Sequence, residues 1–128
     1  MKFLLDTHSF LWFFLEPNKL SKPARVILDN GDNEIYLSAI SAWEIALKYG
    51  IGKLDLPEQP EIYVPARMSY SEITALPVTL EHALRVHTLP PIHKDPFDRL
   101  LIAQAQAESL TIISADRAFT GYPVPVLW

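Results

Sequence analysis

KDPFDRLLIAQAQAES, residues Lys94 to Ser109, combines a helix start, an apolar face and two carboxylates at one end. Asp95 suits the N-cap and Pro96 the first helical position, while Asp98 follows the cap closely enough for its carboxylate to meet free backbone N–H groups. The helix dipole favours both acids there. Behind them Phe97, Leu100, Leu101, Ile102, Ala105 and Ala107 form a broad apolar surface without a breaker, which predicts a helix packed on a sheet. Taken alone, the two acids are those of plain capping. Other acids in the chain give them a second meaning.

Working outward, Leu89-Pro90-Pro91 forces an extended approach to His93 and the helix. Leu110 to Ile113 is a β-branched run that predicts a strand ending at Ser114-Ala115-Asp116, and Val124 to Leu127 predicts a short last strand. At the other end of the chain, Phe3-Leu4-Leu5 reads as a fully buried parallel strand carrying Asp6 at its C-terminal end. In open α/β sheets ligands sit outside that end of the strands. Thr7 to Leu15 predicts a helix that is apolar on nearly every side, enough for core and for a dimer or partner surface.

Ser21 caps a helix from Lys22 to Asn30 that Gly31 stops, and Glu34 to Ser38 is a further strand. Ser38 or Ser41 then caps a helix ending at Gly50, with Ile40, Trp43 and Leu47 on its buried face and Glu44 beside that face. Residues 51–60 are loop-like, and 62–71 are helical with Pro65 starting a new helix or kinking the old one. Ile73 to Val78 predicts a strand, and Thr79 caps a helix with Glu81 in its first turn and Leu84 and Val86 facing inward. Strands and helices alternate without repeats. The fold class is α/β, a three-layer sandwich with a mainly parallel sheet of roughly five strands.

The 128 residues, 49% apolar, suit one domain spanning 1–128 with a single well-buried core. There is no cysteine, which excludes disulfides and thiolate metal sites and fits a reducing compartment. Asp6 and His8 interrupt the apolar N-terminal run, no small-residue cleavage site follows, and no run is long enough for a bilayer, so a cytoplasmic protein is expected. A net charge of -4 argues against a broad basic surface for nucleic acid. Affinity for a polyanion must come from a local site or a basic partner.

If the strands are parallel neighbours, Asp6, Glu44, Asp98 and Asp116 can converge at one edge. Such carboxylates repel and need a cation or shifted pKa values. Oxygen ligands without thiolates suit Mg2+ or Mn2+, which activate water and stabilise charge developing on a phosphodiester.

LLDTHSFLW, SAWEIALKYGIGKLDL, HKDPFDRLLIAQA and TIISADRAF, in that order, resemble the PIN-domain family, in particular the VapC-type toxins of toxin-antitoxin pairs. The resemblance covers nearly the whole chain. It implies an α/β/α sandwich and a magnesium-dependent endoribonuclease, with its acidic positions on Asp6, Glu44, Asp98 and Asp116. It also implies a homodimer, silenced by a small antitoxin that inserts a basic residue into the acidic site. Thr7 and Ser114 stand beside the acids as supporting groups, while Asp95 either caps the helix or touches metal. Lys94, Arg99 and Arg117 contact RNA phosphate or simply neutralise the acids, and His8 and His93 are candidates to ligate or to shuttle protons, with a polar structural histidine the favoured reading of each.

Two rivals remain. A phosphoreceiver domain has a similar length and sheet, but Asp6 is followed by Thr7 and His8 rather than a second acid. A catalytically silent relative that only dimerises and binds its antitoxin would be signalled by loss of an acid, and none is lost.

Overall fold

A computed structural model describes all residues from Met1 to Trp128. The sheet is parallel throughout, with strands β1 (Lys2–Leu5), β2 (Glu34–Ser38), β3 (Ile73–Leu76), β4 (Thr111–Ile113) and β5 (Val126–Leu127) in the order β3-β2-β1-β4-β5. The apolar run Phe3-Leu4-Leu5 takes the central place, because only a strand covered on both faces can bury three successive large side chains. Phe3 and Leu5 point to one core with Ile35, Leu37 and Ile113, and Leu4 points to the other with Ile112.

The helices are α1 (Thr7–Leu15), α2 (Lys22–Asp29), α3 (Ala39–Gly50), α4 (Pro60–Tyr70), α5 (Leu80–Arg85) and α6 (Pro96–Glu108). Phe10 of α1, Ala24 of α2, Ile45 of α3 and Tyr63 and Val64 of α4 fill the first core. Leu101, Ile102, Ala103 and Ala105 of α6 fill the second. The predicted three-layer architecture is the one found, with β3 ending at Leu76 before Pro77 and β5 beginning after Pro125.

Two helix assignments need correction, and a third resolves an alternative. In α3, Trp43 and Leu47 are 57% and 44% exposed, while Glu44 is 3% exposed. The buried stripe is Ile40, Ser41, Glu44 and Ile45, because polar partners await Ser41 and Glu44 inside, and apolar periodicity alone picks the wrong phase. In α5, Leu84 is 63% exposed, while Val86, just past the helix, packs against the second core as expected. The inward position belongs to His82, whose Nδ1 accepts from Thr79 N–H at 3.1 Å, leaving Nε2–H to face Glu108 Oε2 at 3.0 Å. One helix, α4, runs through Pro65, which excludes a new helix start there and leaves the other expected alternative. Pro65 and Glu61, whose carbonyl loses its usual partner, are both exposed.

Chemical denaturation should separate these cases: Phe10→Ala, emptying a fully buried site, should cost about 3–5 kcal/mol. Leu84→Ala should stay within about 0.5 kcal/mol. A large loss for Leu84→Ala would contradict the orientation of α5.

Candidate active site

The chain proceeds from β1 outward to β2 and β3, then returns to the other side of β1 with β4. This makes the β1/β4 boundary a switch point, where a parallel sheet leaves a crevice beyond the carboxyl ends of its strands. Asp6 follows β1 there. Its backbone N–H donates to Ile113 O at 3.1 Å, extending the ladder by one residue. Its Oδ1 accepts from Ser9 N–H at 2.8 Å, capping α1, and its Oδ2 accepts from Ser114 Oγ at 2.6 Å. Burial pushes the Asp6 carboxyl above the ordinary 3.8, against the hydrogen bonds from Ser114 and Ser9. Ser114 Oγ in turn accepts from Asp116 N–H at 3.0 Å, and Asp116 Oδ1 accepts from Ala118 N–H at 2.9 Å, capping a 3₁₀ turn over Arg117–Gly121.

Asp95 caps α6, accepting from Phe97 N–H at 2.9 Å and Asp98 N–H at 3.4 Å. Asp98 projects from the first turn towards Asp116. Burial raises its carboxyl to about 6, with the negative charges of Asp95 and Asp6 adding to the rise and the hydrogen bond to His93 opposing it. His93 Nε2 lies 2.7 Å from Asp98 Oδ2 and 3.7 Å from Asp116 Oδ2. The ligand atoms of His93, Asp98 and Asp116 all fall within 4.8 Å of one another. Beside them is a cavity of about 240 Å³ lined by Asp6, His8, Trp12, Ala115 and Asp116.

Glu44 stands one step away, reached through Thr7. Thr7 Oγ1 donates to Glu44 Oε1 at 2.7 Å, a carboxylate being able only to accept, and lies 3.0 Å from Ser41 Oγ. Glu44 Oε2 meets Lys48 Nζ at 2.6 Å, so this buried charge is paired inside its own helix.

Arg99 does not face the acids. Its guanidinium donates to the carbonyls of Pro90 (2.9 Å), Val86 (3.2 Å), Leu89 (3.3 Å) and His93 (3.4 Å) and to Tyr122 OH, and this correction follows from the loop's need for donors. Tyr122 OH also accepts from His93 N–H at 2.8 Å, so Arg99 and Tyr122 together place the imidazole. Lys94 and Arg117 are exposed beside the site and form no ion pair. His93 and Lys48 are the groups that the sequence undervalues. The signals for them are a histidine just ahead of the Asp95 cap and a lysine one turn after Glu44.

Fold and site together define a three-layer α/β protein with a carboxylate and imidazole cluster at the switch point of a parallel sheet. More narrowly, the chain belongs to the PIN domain family, whose model matches residues 3–124. Among proteins of Mycobacterium tuberculosis strain H37Rv it is similar to Ribonuclease VapC16, 44% identical over 63 residues, which is 49% of this chain and 43% of that protein. It thus aligns with less than half of that relative's length. A second relative, Ribonuclease VapC22, is 27% identical over an alignment of 133 positions covering 95% of this chain and 92% of that protein. The fold is shared with the crystal structure of VapBC2 from Rickettsia felis bound to a DNA fragment from their promoter, with a TM-score of 0.72, 19% identity and coverage of 99% and 98% of the two chains.

The donor set fits a hard divalent cation. Asp98, Asp116 and the His93 imidazole bring oxygen and nitrogen ligand atoms within 4.8 Å of one another, and the Asp98 and Asp6 carboxyls are raised above the ordinary value.

The raised Asp98 carboxyl carries a stability prediction. Asp98 binds its proton more tightly folded than unfolded, so its contribution is fully present below 3.8 and lost as pH rises through about 6. In EDTA, Asp98→Asn should therefore match the parent near about pH 4. Near about pH 7 it should melt higher by about 2–4 °C, a modest gain because the carboxylate keeps some contact with water. Parallel melting curves at both pH values would show that burial does not penalise this carboxylate.

Proposed function

We propose that this chain is a magnesium-dependent endoribonuclease, the toxin of a toxin-antitoxin pair, hydrolysing RNA phosphodiesters at the Asp6, Glu44, Asp98 and Asp116 cluster. The observation that carries this is the approach of Asp98, Asp116 and His93 over buried Asp6 at the switch point. The naming of two similar proteins as ribonucleases supports it.

Asp6, Asp98 and Asp116 would hold Mg2+, for which Mn2+ substitutes, and Glu44 would complete the set from its Thr7 and Lys48 supports. A bound ion of this kind supplies Lewis acidity and a water of lowered pKa as nucleophile. The chain's own part is orientation and proton control. Ser114 ties the Asp6 carboxylate to the Asp116 backbone, and Asp98 must lose its proton before it can act as a ligand. His93 Nε2 lies between Asp98 and Asp116, where it aligns both and is within reach to accept or return a proton. Asp95 serves as the cap that orients Asp98. Lys94 and Arg117 flank the cleft as candidate RNA phosphate contacts.

Purified protein should cut total RNA into discrete products with Mg2+ or Mn2+ and none with EDTA. Asp98→Asn should lose more than the roughly 10–100-fold typical of changes outside the ligand shell. Equal, metal-independent behaviour of both folded proteins would leave a catalytically silent binding module as the better account.

The same reading makes the chain a cytoplasmic homodimer held inactive by a small antitoxin, a basic residue of which enters the acidic cleft. Solved structures of similar fold are described as VapBC complexes, and no helix is long and apolar enough to cross a membrane. Saturation with the cognate antitoxin should abolish cleavage; undiminished cleavage in the assembled complex would count against this partner.

A further inference from the structure

A second cavity, of about 290 Å³, is lined by Thr7, His8, Leu11, Ile45, Lys48, Lys53 and Leu54. Its lining carries two lysines and no carboxylate, in a chain whose net charge is -4. His8 is common to this cavity and to the acidic one, so the two adjoin there.

The lysines are brought together by the end of α3. Gly52, with φ of 75°, is the left-handed residue of a Schellman motif: its N–H donates to Tyr49 O at 3.1 Å, and Lys53 N–H donates to Lys48 O at 2.9 Å. In this motif the two positions occupied by Lys48 and Lys53 usually hold an apolar contact. Here both are lysines, so the turn forgoes that contact and presents two ammonium groups to one cavity. Lysines near a helix C-terminus also complement its dipole and its free carbonyls. The carbonyls here do not need them, because those of Leu47, Lys48 and Tyr49 already accept from Ile51, Lys53 and Gly52 N–H groups. Lys48 is tied to Glu44, while Lys53 is exposed and in no ion pair.

Resting on the ribonuclease reading, we propose that the Lys48–Lys53 cavity is a subsite for a backbone phosphate of the RNA strand, next to the phosphodiester held at the carboxylates. The acidic cleft repels an RNA strand except where a cation sits, so a neighbouring phosphate needs its own positive charge. Lys53 supplies that charge, Lys48 adds its N–H donors not used by Glu44, and exposed His8 lines the passage between the two cavities.

The test is equilibrium binding of a labelled single-stranded RNA pool of random sequence, by fluorescence anisotropy with Mg2+ across a series of KCl concentrations. Asp98→Asn serves as the parent so that RNA is not consumed. Adding Lys53→Ala should weaken binding at low salt and make the slope of log K against log [KCl] shallower by about 0.7, one phosphate contact on a single strand. Lys53→Arg should restore the slope, and matched melting curves show that the turn is intact. An unchanged slope in Lys53→Ala, while the wild-type chain still cleaves RNA, would overturn the subsite and leave the ribonuclease standing. Absence of both RNA binding by the parent and cleavage by the wild type would overturn the two together.

Discussion

A carboxylate buried at the end of a central strand must find donors for both oxygens or stay neutral, and Asp6, 4% exposed, finds one nearby in the chain and one far along it. Ser9 N–H comes from the helix that Asp6 itself starts, and Ser114 Oγ comes from beyond β4. Leaving either oxygen unpaired would cost about 1–3 kcal/mol or more for a charged group. The requirement therefore holds the ends of β1 and β4 together. Because Ser114 also receives Asp116 N–H, it fixes the loop that carries the next carboxylate. Ser9 adds a second tie across the same boundary by donating from Oγ to Ile113 O at 3.1 Å.

The remaining acids are accommodated in different ways, which keeps their mutual repulsion from unfolding this end of the sheet. Glu44 is neutralised inside α3 by Lys48, Asp98 leans on His93, and Asp116 keeps about half of its side chain in water. His93 can serve Asp98 only if its loop is held, and that loop follows Leu89-Pro90-Pro91, which cannot form a regular ladder. Arg99 answers with a fork of donors reaching four carbonyls of the segment, so a charge next to Asp98 in sequence acts through the backbone instead.

The parallel sheet and the place of Asp6 are legible in Phe3-Leu4-Leu5, since an uninterrupted apolar run ending in an acid suits a strand covered on both faces and little else. The start of α6 is equally plain, because Asp95 and Pro96 act locally and their caps do not depend on tertiary partners. What escapes the sequence depends on partners far along the chain. The inward face of α3 holds Ser41 and Glu44 because Thr7 lies opposite them, and no pattern of apolar residues in α3 records that. His82 displaces Leu84 from the interior of α5 for the same reason, its partners being the Thr79 cap and Glu108 of α6. Arg99 and His93 depend on Tyr122, which lies well beyond them in the chain.

The pairing of Glu44 with Lys48 also sets what the lysine cavity can offer. A buried carboxylate that lost its lysine would cost several kcal/mol, so Lys48 cannot leave Glu44 while that charge persists. An ammonium group nevertheless has three donors, and contact with one carboxylate oxygen leaves others free to face the lysine cavity. Thr7 bonds the same carboxylate from the side of Asp6, its neighbour in sequence. Glu44 is thus held at both oxygens, by Thr7 at 2.7 Å and by Lys48 at 2.6 Å. A chain of net charge -4 therefore still gathers Lys48 and Lys53 at one cavity lined by no carboxylate.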